Sequence, residues 1–445
     1  MPLTTIAVVL VSGCGGGGPA LSVDGASFTE EQLLGLTDAR EERLVALTAL
    51  GLAFARDEAV AVGAPLIERW REDLLLDRFA ADLVLQEARI DDEVLRAQYL
   101  TNPRYELVVR HVVALAEEEA PDSVHQSARA TAEEALERLE AGEPMAEVAA
   151  ELSEEPGAAE RGGRLQPGRR GSWVSGFWQA ANGLEEGEHT GVVRTEYGYH
   201  VIQLEERRTV PFEEVRSDVV LQAGTMLGGT DEAWARWQDS VSSTIRLDTA
   251  ALGDAVQGGS LDLAPLALAS DRRVGDAPNG TNPDPSDSGG AGGGDFPVLA
   301  TSDGGEGYRL DAFQRHLASL PKDRWSDVTR GLGNGPSAAD VGSLDLLLAE
   351  VRNEAVRHRA LHEASRRGLG LSGGPRDRTA RQWTDQASAW AVSLGFQAGS
   401  SASVAAGRAL EALSTTRQNA SVAREEIESR EPLLRAAYEV TEAGS

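Results

Sequence analysis

Cysteine is almost absent from this chain of 445 residues: Cys14 stands alone. Long hydrophobic runs are missing too. At 41% hydrophobic residues the composition is that of a globular chain, and no apolar stretch is long enough to span a bilayer. Positive charge is scarce, with 42 Lys and Arg against 71 Asp and Glu, for a net charge of −29. Such a surface repels phosphates and argues against nucleic acid as a partner. Phosphate loop, nucleophile-elbow serine and dinucleotide fingerprint are all lacking. Glu354, His358 and His362 do recur at helical spacing in "EAVRHRALHEA". A zincin pattern would need glutamate directly after the first histidine, and Arg359 stands there. These residues read as a solvated helix face, so neither metal nor cofactor is expected. The length exceeds one ordinary core and implies two or three domains.

The single cysteine closes a short apolar N-terminus, "VVLVSGCGGGG". Val11-Ser12-Gly13-Cys14 resembles the lipobox of a bacterial lipoprotein signal, although residues 1–10 contain no Lys or Arg. The resemblance implies cleavage before Cys14, lipid attachment to it, and a location outside the cytoplasm. Gly15, rather than the aspartate associated with inner-membrane retention, then favours an outer membrane facing the periplasm. The glycine run would serve as a tether. The alternative reading is a buried thiol in an apolar strand.

Helical periodicity dominates from Phe28 to about Leu100, with Thr29 as a capping residue and Pro65 in the first turn of "APLIERWREDLLLDRFAADLVLQEARI". The texture changes between Arg104 and Arg208. There the order is strand, two amphipathic helices, a loop "PGAAERGGRLQPGRRGSW", a short helix "VSGFWQAANGL" and two strands. Residues 271–295 are rich in Asp, Gly, Pro and Ser and read as disordered. The tail from about Arg381 to Tyr438 reads as Ala/Ser/Glu-rich helix. "SVDGASFTEEQLLGL" and "TSDGGEGYRLDAFQRHL" echo each other faintly, each running from Asp-Gly into a helix.

Two strands each carry one histidine in line with core residues. "ELVVRHVVAL" sets His111 beside Val109 and Val113, and "TEYGYHVIQL" sets His200 beside Ile202 and Leu204. An inward imidazole without a partner costs about 1–3 kcal/mol.

From Arg110 to Leu204 the order and spacing of "RHVVAL", "VAAELSEEPGAAERGGRL", "GSWVSGFWQAANGLEEGEHTG" and "VRTEYGYHVIQLEER" resemble the parvulin (PpiC, rotamase) family of peptidyl-prolyl isomerases. The resemblance implies a catalytic set of His111, Glu155, Thr195 and His200, with Leu165, Trp173 and Phe177 as the proline-binding pocket. Glu155 stands at the family's cysteine-or-aspartate position and Trp173 where methionine or leucine is commoner. Arg164 and Gln166 replace an aspartate and a glycine in the loop. More loosely, the flanking helices resemble exported parvulins of the SurA and PrsA kind.

The expected fold is α+β, a parvulin domain embedded in a mainly helical chain. The expected parts are a signal peptide (1–14), an N-terminal helical domain (20–103), the parvulin domain (104–208), a helical segment (209–260), a disordered linker (261–308) and a C-terminal helical region (309–445). The implied function is rotation of X–Pro bonds in unfolded or extended exported polypeptides, by a protein lipid-anchored in the cell envelope. A holdase chaperone with a weak or inactive parvulin module is the alternative.

Overall fold

The computed structural model describes residues 19–258, 260–261, 296–303, 307–329, 341–371, 373–414 and 418–442. Cys14, the lipobox and most of the expected linker lie outside the described residues. The fold is α+β and mainly helical, with antiparallel sheets. It divides into two compact units, one of Arg89–Val219 and one of Met1–Ala88 with Val220–Ser445.

The smaller unit is built on a four-stranded sheet. Its order is Gly168–Arg169, Tyr105–Leu115, Gly198–Thr209, Val193–Thr195, all neighbours antiparallel. The long central pair sets His111 opposite Ile202 and Val113 opposite His200, with a bulge between Val108 and Val109. Both faces are covered. Leu107, Val109, Ile202 and Leu204 pack under Phe177 and Trp178 of the helix Ser175–Asn182. Val112 and Val201 pack against helices Asp122–Glu140 and Met145–Leu152. Simple alternation identifies one inward face, but the nearly unbroken apolar run "LVVRHVVAL" serves two.

This unit starts earlier and ends later than residues 104–208. The helix Asp92–Thr101 belongs to it, because the Tyr99 hydroxyl donates to the Val210 carbonyl at 2.6 Å and Arg216 pairs with Asp92 at 2.6 Å. The expected loop after Pro156 also contains a short helix, Ala158–Arg161, and the strand Gly168–Arg169.

In the larger unit, the two echoing segments adopt the same motif. Leu21–Val23 and Ala26–Phe28 form a hairpin across Asp24-Gly25, both with positive φ, leading into a helix capped by Thr29. Val298–Thr301 and Tyr308–Arg309 likewise pair and run into the helix Leu310–Ser319. Each hairpin gains a third strand: Val440–Glu442 on the first, Arg246–Leu247 on the second. Val298–Thr301 and Tyr308 are therefore sheet, with Leu299, Ala300 and Tyr308 buried, where linker was expected. Their few apolar residues are masked in sequence by the adjoining Gly/Asp/Pro-rich run.

N-terminal and C-terminal helices share one core rather than forming separate domains. The helix Asp38–Ala55 is buried nearly all round from Leu44 to Ala53, as a helix apolar on every side must be. Its cover comes from the tail, which is four helices and a strand: Trp383 and Trp390, Ala405 and Ala409, Ile427, and Leu433 with Leu434. Long-range pairing of this kind leaves no periodic signal. Glu354 is also buried rather than solvated. Arg69 grips both of its oxygens at 2.6 and 3.0 Å, and His316 sits between Glu350 at 2.8 Å and Glu354 at 3.4 Å. His316, Glu350 and Glu354 cluster closely enough to suggest a metal site, but Arg69 already holds both Glu354 oxygens and each His316 nitrogen faces a carboxylate. Among the described residues, no helix is long and apolar enough to cross a membrane.

Candidate active site

The strand Tyr105–Leu115 leaves one edge unpaired by Gly198–Thr209, and closing that edge builds the site. Gly168–Arg169 pairs with Glu106 and Leu107. Leu165 N donates to Val109 O at 3.0 Å, and His111 N donates to Gly163 O at 2.9 Å. Glu154 N donates to Val113 O at 2.8 Å, while Val113 N donates to Ser153 Oγ at 3.1 Å. Residues 153–165 thus lie along the edge, which brings Glu155 beside His111. "GG" is required there. Gly162 and Gly163 both have positive φ (57° and 70°), and a Cβ on Gly163 would meet His111 O at 2.3 Å.

Four polar side chains then join in a line. Thr195 Oγ1 lies 2.8 Å from His200 Nε2, the two Nδ1 atoms of His200 and His111 are 3.4 Å apart, and His111 Nε2 lies 3.1 Å from Glu155 Oε2. Glu155 also pairs with Arg161 at 3.2 Å, so it stands as a carboxylate that only accepts. That fixes the direction of every bond. His111 Nε2–H donates to Glu155, His200 Nδ1–H donates to His111, and the Thr195 hydroxyl donates to His200. Tyr197 N–H closes the line by donating to Thr195 Oγ1 at 3.2 Å.

Both imidazoles are neutral near pH 7. Burial lowers the His111 pKa against the opposing pull of Glu155, and burial with the neighbouring His111 lowers His200 to about 4. A directed chain of neutral rings needs no compensating charge inside the sheet.

An aromatic layer roofs the pair. Phe177 stands edge-on to both imidazoles, 5.5 Å from each centroid at 82° and 86°. Trp173 stands edge-on to Phe177 at 5.3 Å and lies over Gly168, where a Cβ would meet its Cζ2 at 2.5 Å. Leu165 packs in the same cluster. His111, Glu155, Thr195, His200, Leu165, Trp173 and Phe177 are therefore brought together; Cys14 is outside the described residues.

Residues 111–206 match the Rotamase family, a PPIC-type PPIASE domain. This segment is a parvulin domain. The foldase protein PrsA of Caldanaerobacter subterraneus subsp. tengcongensis is 31% identical over 153 residues, 34% of this chain and 46% of that protein. Chaperone SurA of Alkalilimnicola ehrlichii is 36% identical over 114 residues, 25% of this chain and 26% of that protein. The crystal structure of the peptidylprolyl isomerase PrsA from Bacillus cereus shares 26% identity, covers 36% of this chain and 56% of that one, and superposes with a TM-score of 0.24. The chain spans less than half the length of both curated relatives.

Two features of the parvulin domain escaped the sequence reading. Arg161, a generic surface residue by composition, pairs with Glu155 and donates to Pro156 O at 3.0 Å. Arg164, noted only as a departure in the loop, pairs through Nε with Glu205 at 2.8 Å. The density of arginine in "ERGGRLQPGRR" was the available signal.

Proposed function

We propose that the parvulin domain is a peptidyl-prolyl cis-trans isomerase that acts on X–Pro bonds of unfolded or extended polypeptides. The observation carrying this reading is the Thr195–His200–His111–Glu155 line, whose two imidazoles lie directly beneath Phe177. Rotation about the peptide bond faces a barrier of ~18–20 kcal/mol and makes or breaks no bond. No nucleophile is required, and the lone pair of each ring is already engaged, that of His111 by His200 and that of His200 by Thr195. Leu165, Trp173 and Phe177 would grip the pyrrolidine ring. The Glu155 carboxylate would lie by the carbonyl carbon as amide conjugation is lost. His111, His200 and Thr195 hold that carboxylate in place through their fixed donors, so that the twisted amide meets a preorganised site.

In the full chain, the helical unit would hold extended client segments while the parvulin domain turns their prolines. We further propose that Cys14 anchors the protein by lipid to the cell envelope, at the outer membrane facing the periplasm. A protease-coupled assay of the full chain on a proline tetrapeptide tests the activity. Turnover abolished by Phe177→Ala supports it; absence of turnover in the unmodified chain, with client aggregation still suppressed, would leave a holdase. Mass spectrometry of the mature N-terminus decides the anchor, since an unmodified Cys14 would end that part of the proposal.

A further inference from the structure

One cleft in the smaller unit is lined by basic side chains, although the chain is acidic overall. It is an open depression of about 370 Å³ lined by Arg161, Arg164, Leu165, Gln166, Pro167 and Arg208, with no acidic residue among them. In a chain carrying 71 acidic and 42 basic residues, such a lining stands apart. The cleft adjoins the candidate active site at two points. Leu165 belongs both to it and to the apolar cluster around Phe177, and Arg161 bonds the Glu155 carboxylate that His111 contacts.

Resting on the isomerase reading, we propose that Arg161, Arg164 and Arg208 form a subsite for a carboxylate side chain of the client next to the proline, making this a parvulin domain selective for acidic X–Pro segments. Each guanidinium is paired on the rim: Arg161 with Glu155 at 3.2 Å, Arg164 with Glu205 at 2.8 Å, and Arg208 with Glu206 and, at 3.8 Å, Glu106. Those pairs do not close the subsite. The three arginine side chains remain 43–50% exposed, and exposed pairs are held weakly enough to exchange partners. A guanidinium fork carries five donors, and the Arg164–Glu205 pair engages Nε, on one side of its fork. A client carboxylate entering over Leu165 and Pro167 would meet convergent donors on a partly apolar floor. A basic client residue would face three guanidinium groups whose carboxylate partners are already engaged.

The test compares tetrapeptides differing only at the residue before or after proline, with Glu, Gln or Lys, against the full chain at low salt. The expected result is a kcat/KM about tenfold higher for Glu than for Lys at one of these positions, the value of a hydrogen bond to a charged group. That ratio should fall toward one in 0.5 M salt (about a 4 Å Debye length), and in Arg164→Gln and Arg208→Gln. An unmodified chain that turns over Glu and Lys peptides equally overturns the subsite but leaves the isomerase reading intact. Should no peptide be turned over, the isomerase reading fails instead, and the subsite is judged by fluorescence anisotropy of labelled Glu-Pro and Lys-Pro peptides. Equal binding of the two would then sink it.

Discussion

His111 Nδ1 and His200 Nδ1 face each other at 3.4 Å, with ring planes only 12° apart. Two like nitrogens can share one hydrogen only if the rings adopt different tautomers, and the outer partners decide which. Glu155 accepts at one end and Thr195 donates at the other, so the sheet holds one arrangement: His200 protonated on Nδ1, His111 on Nε2. Nitrogen-15 shifts of the two imidazoles in the full chain should show this opposite pair. Identical tautomers would mean that the line is broken in solution.

Acid should destabilise the smaller unit through these rings. In the unfolded chain a histidine takes a proton below about 6.5, whereas His200 in the fold waits until about 4. The unfolded state therefore binds more protons between these values, and stability falls as pH drops. The contribution is fully present above pH 6.5 and is lost progressively down to pH 4, on the order of 3 kcal/mol. Urea unfolding followed by His200 resonances at pH 7, 5.5 and 4.5 measures it. A stability independent of pH over that span would contradict the buried, neutral assignment.

Glu155 and Thr195 separate charge from bonding. Glu155→Gln keeps an acceptor for His111 but removes the charge and the pairing with Arg161. Turnover should fall at least about tenfold, the scale of one lost electrostatic contact in a transition state, while the unfolding midpoint moves little. Thr195→Val should do the reverse in part. It removes the donor that His200 Nε2 meets at 2.8 Å, costing about 1–3 kcal/mol of stability as well as activity. If Glu155→Gln leaves kcat/KM unchanged, the carboxylate has no part in the rotation.

Much of this site was legible because its elements are local. The histidine strands show themselves by alternation, the helices around them by periodicity, and the loop by glycine. Gly163 is the clearest instance. Its left-handed backbone and its approach to His111 O explain the "GG" pair in physical terms. What stayed hidden depends on pairing across long stretches of chain. Nothing near Leu44 reveals that Trp383 and Leu433 will share its core, nor does Glu354 reveal Arg69. The arginine-lined cleft joins Arg161 and Arg164 to Arg208 across a sheet edge, and no spacing rule reaches that far.

Gly163→Ala should be more damaging than its size suggests. Alanine would have to hold a φ of +70° and place Cβ 2.3 Å from His111 O and 2.6 Å from the Ala149 side chain. The loop must then pull away from the strand edge, taking the His111 N to Gly163 O bond with it. Left-handed strain and the lost bond together point to about 2–4 kcal/mol of destabilisation. Urea denaturation, with Gly142→Ala as a control at a positive-φ glycine whose Cβ would meet nothing within 4 Å, separates strain from crowding. Equal losses in both variants would show that the close approach to His111 contributes nothing.

Gly168→Ala addresses the pocket rather than the frame. Its Cβ would fall within 2.5–2.8 Å of three atoms of the Trp173 six-membered ring, while Gly168 φ lies outside the left-handed region. The indole, only part-buried, has room to swing outward, so the fold should lose about 1 kcal/mol or less. Displacing Trp173 alters its edge-on contact with Phe177 and loosens the proposed grip on the pyrrolidine ring. KM for a proline peptide should therefore rise severalfold while kcat changes little, because the Glu155–His111 line is untouched. Tryptophan emission should shift to the red as the indole meets water. A variant with shifted emission but unaltered KM would remove Trp173 from the substrate pocket and leave Leu165 and Phe177 as its walls.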